Sequence, residues 1–203
     1  MKKLFIIISI LSIGLLFSCA EREEVVIINT EFGEIVLLLY NETPLHKKNF
    51  LELAKGHFYD STTFHRVMDR FMIQGGDPNS KDNDPNNDGR GGPGFTVPQE
   101  FNKDLTHIRG ALAAARQPDS VNPEKASSGS QFYIVENEEG YHSLDGNYTV
   151  FGQTISGIDV VEEIAAQPKN PANRPLNNIY MTMEVRSMSH KKITKEYGYE
   201  FKD

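Results

Sequence analysis

Thr62-Thr63-Phe64-His65-Arg66-Val67-Met68-Asp69-Arg70-Phe71-Met72-Ile73-Gln74-Gly75-Gly76-Asp77 contains two strand-like runs, 62–67 and 71–74, joined by Met68-Asp69-Arg70. Alternate residues of a strand share a face, which sets Phe64 beside Arg66 and Met72 beside Gln74. In a later run, Gln131 stands beside Tyr133 in the same way. Faces that mix polar and apolar side chains suit neither a plain core nor a plain wet surface. They suit a half-apolar groove with a few fixed hydrogen-bonding groups.

Outward from this stretch the chain reads as many short strands and two helices. Val25 to Ile28 and Ile35 to Leu39 flank Thr30-Glu31-Phe32-Gly33 and form an opening hairpin. Thr43 as N-cap, Pro44 at the first helical position and Gly56 as a stop define a helix from Pro44 to Lys55, with Leu45, Phe50, Leu53 and Ala54 inward. Residues 75–98, rich in Gly, Pro, Asn and Asp, form a long functional loop without regular structure. Further strands are Gly110 to Ala115, Gln131 to Val135, Tyr148 to Phe151, Ile179 to Val185 and Lys192 to Tyr197. A second helix, about Gly157 to Ala166, carries Ile158, Val161 and Ile164 on one stripe. This pattern predicts a mainly β, closed antiparallel barrel capped by two helices.

The 203 residues suffice for one domain, and 38% hydrophobic with 24% charged residues is a globular composition. The first residues are a separate object. Lys2 and Lys3 precede an apolar run from Leu4 to Leu16 that is too short to span a bilayer and reads as a secretory signal over 1–18. Leu16-Phe17-Ser18-Cys19 resembles the lipobox of bacterial lipoproteins, which implies cleavage before Cys19, lipid on its sulfur, and residence in the cell envelope facing the periplasm or cell surface. The alternative is an ordinary signal that leaves Cys19 as a free thiol. Residues 19–24 read as an acidic tether and 25–203 as the folded domain. Removing 1–18 takes away two lysines and no acid, so the net charge of −7 becomes −9. Such a charge argues against a nucleic-acid partner.

Four ordered blocks carry a specific resemblance. Phe64-His65-Arg66-Val67 with Phe71-Met72-Ile73-Gln74-Gly75-Gly76-Asp77 is similar to the signature of cyclophilins. Gly110-Ala111-Leu112-Ala113-Ala114-Ala115, then Ser130-Gln131-Phe132-Tyr133-Ile134, then Leu144-Asp145-Gly146 with Val150-Phe151-Gly152, follow in the family's order. The resemblance implies an eight-stranded barrel and peptidyl-prolyl cis-trans isomerase activity on Pro-containing polypeptides, here exported ones, with the chain acting as a monomer. It implies Arg66 as catalytic hydrogen-bond donor and Gln74 as its positioning partner. His65, Phe71, Met72, Gln131, Tyr133, Leu144 and Tyr148 would contact substrate, and the backbone near Ala115 and Arg116 would pair with the peptide. No metal, nucleophile or redox cofactor is implied, and the six histidines have no metal-ligand spacing. The competing function is a module that holds Pro-containing segments with little turnover.

The chain departs from the family's usual pattern at Ser143, where many relatives have Trp, and at Arg116, Tyr133 and Tyr148, where many have Asn, Phe and His. These changes imply an altered groove wall and weak affinity for cyclosporin-like ligands. Asp84-x-Asn86-x-Asp88-Gly89 matches the first half of a calcium loop, but Phe95 stands where the closing Glu is needed, so a solvated turn is expected.

Overall fold

The computed structural model describes residues 21–82 and 84–201. The expected signal sequence over 1–18 and Cys19 lie outside the described residues. Eleven strands appear among them: β1 (Arg22–Thr30), β2 (Gly33–Leu39), β3 (Thr62–Thr63), β4 (Arg66–Met68), β5 (Met72–Gly75), β6 (Thr96–Val97), β7 (Ala111–Ala114), β8 (Ser127–Ser128), β9 (Phe132–Val135), β10 (Val150–Ser156) and β11 (Tyr180–Ser189). The helices are α1 (Pro44–Lys55), α2 (Ile158–Ala165) and α3 (His190–Tyr197).

Nine strands form one antiparallel sheet in the order β3-β11-β1-β2-β10-β7-β9-β5-β4, and β6 pairs with β8 separately. The expected closed eight-stranded barrel is thus corrected to an open, curled nine-stranded sheet. Its two edges, β3 and β4, are separated in the chain by Phe64 and His65 alone, so the sheet curls until its ends meet through the backbone rather than through a ladder.

Curling buries one set of alternating side chains inside. Ile28, Leu37, Ile73, Leu112, Ile134 and Phe151 belong to that interior core, which α1 and α2 cover with Phe50, Ala54, Val161 and Ile164. The opposite set splits into two outer clusters. Val25, Ile27, Val36 and Leu38 pack under Ile193 of α3, and Met72, Ala113, Tyr133, Val135 and Val150 form the other. The break at Phe64-His65 corrects the face reading there: Phe64 points into the core while Arg66 does not.

Three further expectations are corrected. Residues 192–197 are helical rather than extended, because the Ser189 side chain accepts from the Lys192 N–H and caps α3, which stops at Gly198. Arg22–Glu24 belong to β1 rather than to a tether, since Glu23 and Glu24 meet Lys47 and Lys55 of α1 at 2.8 and 2.7 Å. Thr43 makes no side-chain cap. Instead the Glu100 carboxylate accepts the Leu45 and His46 N–H groups at 3.1 and 3.0 Å, so the first turn rotates His46 inward and leaves Leu45 49% exposed. The long loop also contains a short 3-10 turn, Pro78–Lys81, and β6.

Candidate active site

Antiparallel register lines up a row of side chains on the outer face of one half of the sheet. Arg66 faces Gln74, Gln74 faces Tyr133, and Tyr133 faces Ala113 across β4, β5, β9 and β7. The next row sets Met68 opposite Met72 and Met72 opposite Val135. Directly opposed residues in a sheet lie within contact distance, so the ladder itself assembles polar and apolar groups from distant segments.

Arg66 sits at the edge of this surface, half-buried. Its Nη1 donates to Gln74 Oε1 at 3.3 Å and its Nη2 approaches the Met68 sulfur at 3.1 Å. The guanidinium lies 5.9 Å from the Phe71 ring centre. Burial holds its pKa below the ordinary arginine value, opposed by the nearby Tyr148; it remains a cation at neutral pH. Gln74 Nε2 donates to Gln131 Oε1 at 3.0 Å, and Gln131 Nε2 donates to the Gly91 carbonyl at 2.8 Å. Asp77 anchors the far end: its carboxylate accepts from the Asn79 and Gly91 N–H groups at 2.8 and 3.2 Å. A Cβ on residue 91 would stand 2.1 Å from Asp77 Oδ1, so the backbone approach requires glycine.

Beside Arg66, Phe71, Met72, Tyr133, Leu144 and Tyr148 share one apolar cluster with Ala115 at its margin. Tyr133 and Tyr148 meet edge to face with ring centres 5.9 Å apart. A depression of 660 Å³ adjoins the cluster, bounded by Gln74, Gln131, Ala115 and Arg116 on one side and Gly92, Phe95 and Val121 on the other. Arg116 is held rigidly in its wall: the guanidinium stacks over Tyr148 at 4.6 Å, donates to the Asn147 carbonyl at 2.8 Å and pairs with Asp119 at 2.5 Å. The loop after Arg116 is thereby clamped to the turn before β10.

The predicted residues are therefore brought together with two exceptions. His65 is not in the apolar cluster; it is buried and borders a second pocket of 440 Å³ on the other side of Arg66 and Gln74, which line it together with Asp88 and Arg174. Burial pushes its pKa down. The Ala115 N–H is committed to the Gln131 carbonyl at 3.0 Å and its carbonyl to Ser128 at 2.8 Å, so Ala115 presents its methyl rather than a free backbone N–H. In the half calcium motif, Asp84 Oδ1 accepts from Asn86, and Asp88 Oδ2 pairs with Arg174 at 2.7 Å.

Sequence reasoning overlooked Gly91, Asp77, Tyr141 and His107. Tyr141 lies against Phe71 with ring centres 4.2 Å apart and supplies an aromatic rim two residues before Ser143. These positions come from loops, where no period marks a facing side chain.

Comparison with known proteins bears on the family and the fold. The family described as cyclophilin type peptidyl-prolyl cis-trans isomerase matches residues 25–185. A peptidyl-prolyl cis-trans isomerase of Dictyostelium discoideum is 39% identical over 161 residues, 77% of this chain and 94% of that protein. One from Acinetobacter baylyi is 34% identical over 187 residues, 89% of this chain and 93% of that one. A crystal structure of a cyclophilin type isomerase from Cryptosporidium parvum superposes with TM-score 0.71 at 27% identity, covering 82% of this chain and 98% of that one. The same Cryptosporidium protein, crystallised in the presence of the dipeptide Ala-Pro, gives TM-score 0.68. With the family model matched over residues 25–185, relatives 39% and 34% identical, and the strand-forming parts of the motif blocks set into one curled sheet, the chain belongs to the cyclophilin-type peptidyl-prolyl cis-trans isomerases.

Proposed function

We propose that Arg66 is the group through which this isomerase accelerates rotation about X–Pro bonds, with Phe71, Met72, Tyr133, Leu144 and Tyr148 seating the prolyl ring. Amide resonance opposes rotation with a barrier of about 18–20 kcal/mol. As the amide twists, the prolyl nitrogen regains its lone pair and becomes an acceptor. A cation held beside it stabilises the twisted state more than either planar form. Gln74 and Gln131 keep the guanidinium in place, while Arg116 and the groove edge hold the peptide at one end as the other turns. The reaction makes and breaks no covalent bond, so these residues need no nucleophile and no proton transfer.

The observation that carries this reading is the register that sets Arg66, Gln74 and Tyr133 in one row beside the apolar cluster. Titration of an isotope-labelled chain with an Ala-Pro peptide tests it. Resonances of Phe71, Met72, Tyr133 and Leu144 shift on binding; shifts confined to other surfaces overturn the assignment.

The substrates we infer are Pro-containing segments of exported proteins, met by a monomer anchored at the cell envelope through lipid on Cys19. The Leu16-Phe17-Ser18-Cys19 stretch at the end of an apolar leader supports this. Intact mass of the membrane fraction tests it: a lipid adduct on a chain beginning at Cys19 is expected, and an unmodified chain contradicts it.

A further inference from the structure

His107 is fully buried at the turn into β7, and its ring joins two parts of the site that isomerisation as described does not require it to touch. Nδ1 lies 2.7 Å from Asp145 Oδ1, the same oxygen that accepts the His107 backbone N–H at 2.8 Å. Nε2 lies 2.8 Å from the Tyr133 hydroxyl, and the two rings are nearly parallel at 14°. The His107 carbonyl accepts the Tyr141 N–H at 2.7 Å, and Tyr141 packs on Phe71. One residue thus fixes both the floor and the rim of the apolar notch.

The network determines where the protons sit. An ionised carboxylate only accepts, so His107 Nδ1 carries the proton toward Asp145. The neutral ring then offers Nε2 as an acceptor, and the Tyr133 hydroxyl donates to it. That proton is turned away from Met72, Leu144 and Tyr148. A charged His107 donates from both nitrogens, so the Tyr133 hydroxyl then accepts and its own proton must face the apolar surface.

We propose that His107, oriented by Asp145, is a positioning residue of this isomerase: it withholds the Tyr133 hydroxyl proton from the prolyl pocket, and protonation of His107 releases it there. The consequence is weaker substrate binding in acid. The proposal rests on the reading of the apolar cluster as the prolyl pocket.

The groups around His107 come from three elements. Asp145 and His142 belong to the 140–145 turn, with His142 Nδ1 2.9 Å from the second Asp145 oxygen. Tyr133 comes from β9, and Tyr148, stacked under Arg116, precedes β10. Burial lowers the His107 pKa against the pull of Asp145, which confines its charging to the acid range. Arg66 does not titrate there.

The test is the pH dependence of KM for an uncharged X–Pro tetrapeptide between about pH 7.5 and about pH 4.5. Loss of folded enzyme lowers apparent kcat and leaves KM alone, so KM is the readout. Wild type is expected to show KM rising about fivefold in acid, the scale of one neutral hydrogen bond. Tyr133→Phe is expected to show a flat KM, and His142→Asn to keep the wild-type rise. A flat wild-type profile overturns the proposal, as does a rise that survives Tyr133→Phe or vanishes in His142→Asn. Undiminished kcat in Arg66→Ala at neutral pH instead overturns the site reading, whatever the pH profile.

Discussion

Gln74 holds Arg66 from the facing strand: its Oε1 accepts from the guanidinium at 3.3 Å while its Nε2 donates to Gln131 at 3.0 Å. A side chain that accepts on one end and donates on the other fixes the amide orientation, and through it the cation. Removing it leaves Arg66 free to sample several rotamers, and each productive encounter then carries an ordering cost. Gln74→Ala is expected to lower kcat/KM about tenfold, roughly 1.4 kcal/mol in the barrier. Unchanged kcat/KM in a tetrapeptide assay contradicts the positioning role.

The N-terminus of α1 is satisfied from outside the helix. Glu100 takes two of its free N–H groups and meets His46 Nδ1 at 2.6 Å, and His46 Nε2 reaches Ser127 at 2.9 Å. Glu100→Ala is expected to destabilise the fold by about 2 kcal/mol, within the range for a lost cap with a charged acceptor. Thr43→Gly, at the sequence-predicted cap, is expected to cost less through the cap because its hydroxyl accepts no helix N–H. Urea unfolding of Glu100→Ala checks the Glu100 cap, and a stability unchanged from wild type contradicts the assignment.

Three histidines, His46, His65 and His107, have pKa values lowered chiefly by burial, against the partial pull of Glu100, Asp77 and Asp145 respectively. Unfolded, each protonates below about pH 6.5, while the folded state resists. Their stabilising contribution is therefore present above that pH and is lost as pH falls toward the lower folded values. Each such group contributes a slope of up to about 1.4 kcal/mol per pH unit. The urea midpoint is expected to fall between pH 7 and about pH 5.5; a midpoint that holds or rises across this window contradicts neutral burial of these rings.

Helix α1 was legible because Pro44 and Gly56 punctuate it, yet its inward face was not, since Glu100 rotates the first turn from 54 residues away and brings in His46 instead of Leu45. The strand segments that carry Arg66, Gln74, Gln131 and Tyr133 were legible as motif blocks, and their face alternation held wherever the strand is continuous. It failed at Phe64-His65, where one short strand leaves to pair with β11 and the next pairs with β5. The same break accounts for the open sheet, because local pattern reports strands but not which two of them form the edges. The C-terminal helix was misread from its spaced apolar residues, Ile193 and Tyr197, although Ser189 three residues before Lys192 was a readable cap. Gly91, Tyr141 and His107 were illegible because tertiary contact alone gives them partners.

The central claim is that the Arg66 guanidinium lowers the rotational barrier rather than merely binding peptide. The most direct measurement is the isomerisation rate of an X–Pro peptide at saturation, read by exchange between cis and trans resonances, with peptide affinity measured alongside in wild type and Arg66→Ala. The account predicts a loss of about a hundredfold or more in kcat, the scale for removing one preorganised donor, with affinity changed far less. An Arg66→Ala enzyme that turns over at the wild-type rate, or one whose entire defect lies in affinity, contradicts it.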